Sequence, residues 1–381
     1  MVRISRPAVE IIQGNLKLYL TYLTPRDLDE EGFYEVDKLD ATPGASKGYQ
    51  RILNERRVGA LDRYLREAHE HGYANLPTTV FLATEGKVRY NEDKGVISFD
   101  TKNVCPFNVV DGQHRIEGLR RASRTDNDLR SFRLPVTIAT GLDEAHQMYH
   151  FFVVNTTQVP VDQSLQQQIA ARFEDMNRVE KLPYIPHWLQ HRVHTGRDQR
   201  ALQIVTKLNT HRKSPMKGRI QMANDPEGGR NKIKQSSIVK IIQDQVLTSG
   251  NPLEGNETSA DVQGNILLNL WIAIDKLFVD GRNRDDTVIY KSNGLFWGFG
   301  ISRWVFNVLY SSTDNFTVDS ITKTIQQGLD ELPDEAAAIA SPDWWLSGGG
   351  RASALNRANA RVYIEAFRQG LAKARNREIR V

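Results

Sequence analysis

Between Phe107 and Ala122 one glycine separates two kinds of structure. Phe107 to Val110 is a short apolar run of strand type, Asp111-Gly112 follows, and Gln113 to Ala122 places Ile116 and Leu119 on one helical face. A strand that turns straight into a helix leaves the first-turn N–H groups and the positive end of the helix dipole at the corner. A glycine there lets a backbone or an anion approach closely. Arg115 adds a planar fork that matches paired phosphate oxygens, and His114 a donor whose charge responds near neutral pH. Asp111 suits a helix cap, a contact to ribose or water, or a carboxylate that orients Arg115. The plainer alternative is an ordinary N-cap followed by a surface cation, since strand-to-helix turns of this kind are common.

Composition narrows what the corner can serve. The chain has 381 residues, 40% hydrophobic and 25% charged, which excludes wholesale disorder and leads us to expect two domains. Its single cysteine, Cys105, excludes a disulfide framework and a thiolate zinc site, and its setting before Pro106 suggests a buried small apolar group. Met1 to Arg6 does not open a signal peptide, and the most apolar stretch, Leu295 to Tyr310, is short for a bilayer and contains Arg303. We therefore expect a cytoplasmic protein without membrane contact.

The net charge of +4 is unevenly spread. Lys181 to Lys240 holds thirteen Lys and Arg against Asp198, Asp225 and Glu227, a local +10 that leaves −6 for the remainder. Cations interleaved with Ser, Thr, Asn, Gln and Gly suit a phosphate backbone, which needs charge for counterion release and neutral donors for positioning. Arg212, Lys213, Lys217, Arg219, Arg230, Lys232 and Lys234 are the expected contacts to double-stranded DNA. A solvated surface neutralised by the acidic remainder is the alternative. A second basic run, Arg351 to Arg380, closes the chain.

The pattern predicts an α+β protein. Expected strands lie at Gln13 to Leu23, Thr78 to Ala83, Lys87 to Tyr90, Val96 to Phe99, Phe107 to Val110 and Leu134 to Ala139, and helices at Arg56 to His71, Gln113 to Ala122 and Asp143 to Val154. Asn155-Thr156-Thr157-Gln158, with Pro160, is expected to break the last of these. A polar stretch with Pro183 and Pro186 then separates residues 1–180 from a mostly helical, basic region at 181–381. Its helices are expected at Val262 to Val279, Leu295 to Tyr310, Val318 to Leu329 and Ala352 to Ala374.

The segment VVDGQHRIEGLRRA, Val109 to Ala122, resembles the signature of the DGQHR-domain family. Described members include DndB, associated with DNA phosphorothioate modification, and DpdB, associated with 7-deazaguanine modification. The family is similar to the ParB/sulfiredoxin fold, where a Gly-x-x-Arg turn holds a nucleoside triphosphate, and Gly112 and Arg115 stand in those two places. Further similarity lies in Tyr49-Gln50-Arg51 with Arg57-Val58 and Tyr64-Leu65, and in FFVVNTTQVPVDQSL, Phe151 to Leu165. The resemblance covers about residues 10 to 175.

The resemblance implies a ParB/sulfiredoxin-like N-terminal domain that binds ATP with magnesium and no dedicated protein metal site. It assigns catalysis to Asp111, His114 and Arg115, and nucleotide contacts to Gly112, Gln113, Arg115, Asn155, Thr156, Thr157, Gln50 and Arg51. Ile116 after the motif and the Asn155-Thr156-Thr157-Gln158 context depart from the DndB pattern and favour DpdB. The expectation is a DNA-associated ATPase that supports insertion of a 7-deazaguanine base together with a transglycosylase partner. The alternative is a DndB-like DNA-binding regulator of phosphorothioation without obligatory catalysis. Asp111 is the first candidate to position the attacking water and Glu117 the second, though Glu117 points roughly away from Arg115 on a helix.

Other features carry less. Arg56 and Arg57 suggest ion-paired surface groups. His146 and His150, four apart, lack a metalloprotease pattern. His187, His191 and His194 lie in the basic stretch beside Trp188. Trp344-Trp345 and Trp297 with Trp304 suggest core or interface aromatics. Ser347 to Gly350 lacks the Lys-Ser/Thr of a P-loop, and no Gly-x-Ser-x-Gly elbow occurs.

Overall fold

The computed structural model describes residues 3–38, 48, 50, 52–158, 163–175, 196–223, 225, 232–255, 258–313, 315–348 and 355–376, with backbone alone at 154–158, 173–175 and 376. The chain is α+β and forms two compact units, whose described residues run from Arg3 to Leu165 and from Gln166 to Asn376.

The first unit is built on a six-stranded mixed sheet. Its strands are β2 (Val9–Gln13), β3 (Leu16–Leu23), β4 (Tyr34–Glu35), β5 (Val80–Thr84), β8 (Phe107–Asp111) and β9 (Leu134–Thr140), in the order β2-β3-β9-β5-β8-β4. A smaller antiparallel sheet joins β1 (Arg3–Pro7), β7 (Val96–Asp100) and β6 (Arg89–Asn91). Period-two alternation divides the large sheet into faces. Val80, Leu82, Phe107, Val109, Val136 and Ile138 are buried in one core with Leu65 of α2 (Glu55–Glu70) and Ile116 and Leu119 of α4 (Gln113–Thr125). The opposite face carries Phe81, Asn108 and Thr137. There α5 (Glu144–Gln158) packs on β8, with Asn108 Nδ2 donating to Gln147 Oε1 at 2.6 Å. The short helices α1 (Pro25–Leu28) and α3 (Thr101–Val104) fill connections. Helices α2 and α4 touch closely because Gly118 has no side chain; a Cβ there would lie 2.8 Å from Leu61 Cδ2. Cys105 has an intermediate exposure, and burial pushes its thiol up to about 11.

Two expectations needed correction. The strand expected at Gln13 to Leu23 is a hairpin that starts at Val9 and turns at Gly14-Asn15, where Gly14 has φ +58°. A two-residue Gly-Asn turn matches the twist of the flanking strands. The helix expected to break at Asn155 continues through Gln158. Asn, Thr and Gln lower helix propensity by only tenths of a kcal/mol each, too little to end a helix of 15 residues, and Pro160 in the sequence opposes helix only at the residue before it.

The second unit is mostly helical: most of α6 (Gln163–Asp175), then α7 (Arg197–Thr210), α8 (Gln235–Gln245), α9 (Ala260–Phe278), α10 (Ser292–Ser312), α11 (Val318–Asp330) and α12 (Arg357–Asn376). Two short strands, β10 (Ile220–Gln221) and β11 (Ile233–Lys234), pair in parallel ahead of α8. Its core is aromatic: Trp271, Trp297 and Trp345 are fully buried, with Trp297 and Trp345 ring centroids 4.9 Å apart. Trp344 is buried too, and Trp304 lies under the guanidinium groups of Arg303 and Arg368. No helix among the described residues is long and apolar enough to cross a membrane.

Candidate functional site

The corner forms as the sequence predicts, at the end of β8 and the start of α4. Gly112 takes the N-cap position in the left-handed region, φ +101° and ψ 16°. A Cβ there would lie 2.8 Å from Val80 Cγ2, so the position needs glycine for both conformation and space. With no side chain at the cap, the first turn lacks the oxygen that Asp or Ser would supply.

Each reactive side chain of the motif has a partner inside the fold. Arg115 Nη2 donates to Asp111 Oδ2 at 2.6 Å. Arg115 Nη1 lies 2.8 Å from Thr78 Oγ1, 2.9 Å from Thr78 O and 2.7 Å from Thr79 O, at the entrance to β5. The guanidinium therefore staples the corner to the neighbouring strand. His114 Nε2 accepts from the backbone N–H of Asn54 at 3.0 Å, which places the neutral ring's proton on Nδ1. Asn54 in turn caps α2, its Oδ1 accepting from the N–H groups of Arg56 and Arg57 at 3.1 and 3.2 Å. The N-termini of α2 and α4 are thus tied together.

Two cavities flank this wall. One of about 170 Å³ is lined by Gln50, Arg57, Val110 to Arg115 and Phe151. Gln50 is buried there, at 2% exposure, and its N–H bonds Asp37 O at 2.9 Å. The second, about 1070 Å³, lies across Asp111 and Arg115, among the β2–β3 turn, Thr78, Thr79, Phe81, Thr137, Thr140 and the α5 side chains His146, Tyr149 and His150. His146 Nδ1 lies 2.7 Å from Asp143 Oδ1. His150, its ring edge-on to Phe81 and Tyr149, is held below the usual imidazole value by burial and then by His146. Arg57, exposed as expected of a surface cation, lines the smaller cavity, and His146 and His150 line the larger; the sequence placed none of them near the motif, because no local signal pairs residues so far apart in the chain.

Glu117 faces elsewhere. It accepts from Tyr34 OH and from Arg120 Nη1, while Arg120 also bonds Asp29 Oδ1 at 2.7 Å and Tyr34 OH at 2.7 Å. This network ties α4 to the β4 region and explains the raised Tyr34 hydroxyl: burial first, then the Glu117 carboxylate. At the far end of α4, His69, Asp126 and Asp128 bring ligand atoms within 4.8 Å of one another, away from the corner. Asn155, Thr156 and Thr157 lie in the last turn of α5, and their side chains lie outside the description. Arg51, Arg230, His187, Trp188, His191 and His194 fall outside the described residues.

Of the expected DNA contacts, Arg212, Lys213, Lys217 and Lys234 are exposed. Arg219 pairs with Asp285, and Lys232 with Asp225 at 3.1 Å.

With this geometry in hand, comparison with known proteins adds one finding. Residues 6–183 match the family model DndB, described as DNA-sulfur modification-associated. This DndB-like segment contains the corner, both cavities and the α2–α4 pair. The match lends no weight to DpdB over DndB, and the departures at Ile116 and at 155–158 lie within it. No curated protein and no solved structure matches the chain.

Proposed function

We propose that the first unit binds the phosphates of ATP at the Gly112 corner and hydrolyses it, as a DNA-associated component of a DNA-modification system. The cavity at the corner carries this reading. A helix N-terminus with a bare glycine cap opens into a space that also holds Arg57 and Gln50, brought from 55 and more residues upstream. The larger cavity has room for the rest of a nucleotide.

The residues present fit magnesium ATP. Arg115 fixes the corner, and its Nε is not used by Thr78, Thr79 or Asp111. Arg115 takes Asp111 Oδ2, so Asp111 Oδ1 would orient a water or hold the magnesium, which would neutralise phosphate charge. Arg57 and the α4 N-terminus supply positive potential for a loose phosphoryl transition state. His114 lines the same cavity, its Nε2 engaged by the Asn54 N–H.

The match over residues 6–183 favours a sulfur-modification setting, while insertion of 7-deazaguanine with a transglycosylase partner gains no support from it. The match is equally consistent with a second reading, a DndB-like regulator in which the nucleotide is sensed and DNA is bound without turnover. Phosphate release by the full chain with magnesium ATP, with and without duplex DNA, separates the two. Hydrolysis that falls about tenfold or more in Arg57→Gln supports the ATPase, by loss of one charge-assisted contact. Arg57-dependent binding without hydrolysis supports the regulator. Neither binding nor hydrolysis would remove the nucleotide from both readings.

A further inference from the structure

The second unit contains a cavity of about 340 Å³ that the nucleotide reading does not use. It lies where β11 runs into α8 and where residues 284–292 run into α10. Arg219, Lys232, Lys234, Arg284 and Lys291 line it, and Asp285 is the one carboxylate among its described lining residues. Asp225 and Asp275 pair with Lys232 and Arg284 from behind. Counting all three carboxylates against the five cations, the cavity keeps a charge of +2.

The placement of two of these cations is more telling than their number. Lys234 is the N-cap residue of α8 and Lys291 the N-cap residue of α10, and neither helix has a side-chain cap. N-caps ordinarily carry an oxygen, and anions are favoured at helix N-termini. Two exposed lysines at the positive ends of two helices of 11 and 21 residues, Lys291 Nζ donating to Ser347 Oγ at 3.2 Å, add their charge to one concavity, which favours a negative group there. Neutral donors complete the lining: Ser292 opens α10 and Ser237 lies in the first turn of α8. Arg284 is held in place rather than loose, its Nε and Nη2 on the two oxygens of Asp275 at 2.7 Å each, with Tyr290 OH on the same carboxylate.

We propose that this cavity is a seat for one phosphate group. Its source, a phosphodiester of duplex DNA, rests on the DNA-associated reading above; the seat itself does not. It differs from a surface track along the basic segment because it also uses Arg284, Lys291 and the N-terminus of α10, all from outside that segment.

Calorimetric titration of the full chain tests it with two probes, a short DNA duplex over a range of salt and inorganic phosphate. The variants are Lys234→Gln/Lys291→Gln, both at exposed positions, and Ser292→Asp. In the double variant, duplex affinity falls about tenfold and the salt slope becomes shallower by about one to two. If duplex binding holds while phosphate binding is lost, the seat stands with a free phosphate as its source. Ser292→Asp puts a carboxylate where the α10 dipole favours it, so melting temperature holds or rises while phosphate affinity falls. Wild-type protein that binds neither probe, or variants that bind both as wild type does, overturn the seat. The nucleotide reading is measured through Arg57 in the other unit, so either can fail alone.

Discussion

Arg115 and Asp111 form an ion pair of 2.6 Å across the first turn of α4, and the same guanidinium holds the carbonyls of Thr78 and Thr79. The motif's arginine is thereby a fastener before it is a ligand group. Its side chain is 19% exposed, whereas that of Asp111 is 39% exposed, so the guanidinium is the more desolvated partner.

Arg115→Ala should therefore cost folding stability as well as nucleotide binding. Loss of the pair and of the bonds to residues 78 and 79 is worth about 1–2 kcal/mol, most of it from the part-buried Thr79 carbonyl and Asp111 carboxylate, since exposed Thr78 turns to water. Arg115→Lys keeps the charge but not the fork, and should recover less than half. Urea unfolding midpoints at constant m-value check both; an unchanged midpoint in Arg115→Ala would show that the staple carries no weight.

At Gly112 the backbone and the space both oppose a side chain. Gly112→Ala places a Cβ at φ +101° and 2.8 Å from Val80 Cγ2, a combined cost of about 2–4 kcal/mol. Paired with Val80→Ala, the steric part should be relieved and the conformational part should not. A double-mutant cycle in urea reads this as a favourable coupling of about 1 kcal/mol or more; strictly additive costs would count against the contact.

Glu117 gives the contrasting case. Its bonds to Tyr34 and Arg120 stabilise the packing of α4, so Glu117→Ala should lower stability by about 1–2 kcal/mol. Nucleotide affinity should be unchanged. A loss of binding with intact stability would return Glu117 to the site.

His150 makes the first unit sensitive to acid. Its imidazole is held below the ordinary value of about 6.5, chiefly by burial, so in this window the unfolded chain binds the proton more readily than the folded one. Stability is therefore full above about pH 6.5 and is lost as pH falls below it. His150→Phe, against Phe81 and Tyr149, should flatten the pH dependence of the unfolding midpoint between pH 7 and 5. A slope as steep as in wild type would assign the effect to another group.

Local chemistry was legible in the sequence and long-range pairing was not. The apolar run to Val110, the glycine and the helical spacing of Ile116 and Leu119 located the corner, because each signal lies within a few residues of the others. The bonds that close it join Arg115 to Thr78 and His114 to Asn54, 37 and 60 residues apart, and no periodicity encodes them. Arg57 suggested a surface cation for the same reason: its neighbours at the cavity come from β8, α4 and α5. The β2–β3 hairpin was present in the sequence as Gly14-Asn15, where a weak alternation ran straight through the turn. In the second unit, helix spacing placed the long helices well. The lysines at the starts of α8 and α10 gave no signal, since only the fold sets them on one cavity.

The central claim is that nucleotide phosphates sit on the Gly112 corner. Crystals of the full chain grown with magnesium and a non-hydrolysable ATP analogue test it most directly. The account predicts phosphate density in the 170 Å³ cavity, within hydrogen-bonding distance of the α4 N-terminus and Arg57. An ordered analogue bound elsewhere, with that cavity filled by the protein's own side chains, would contradict it.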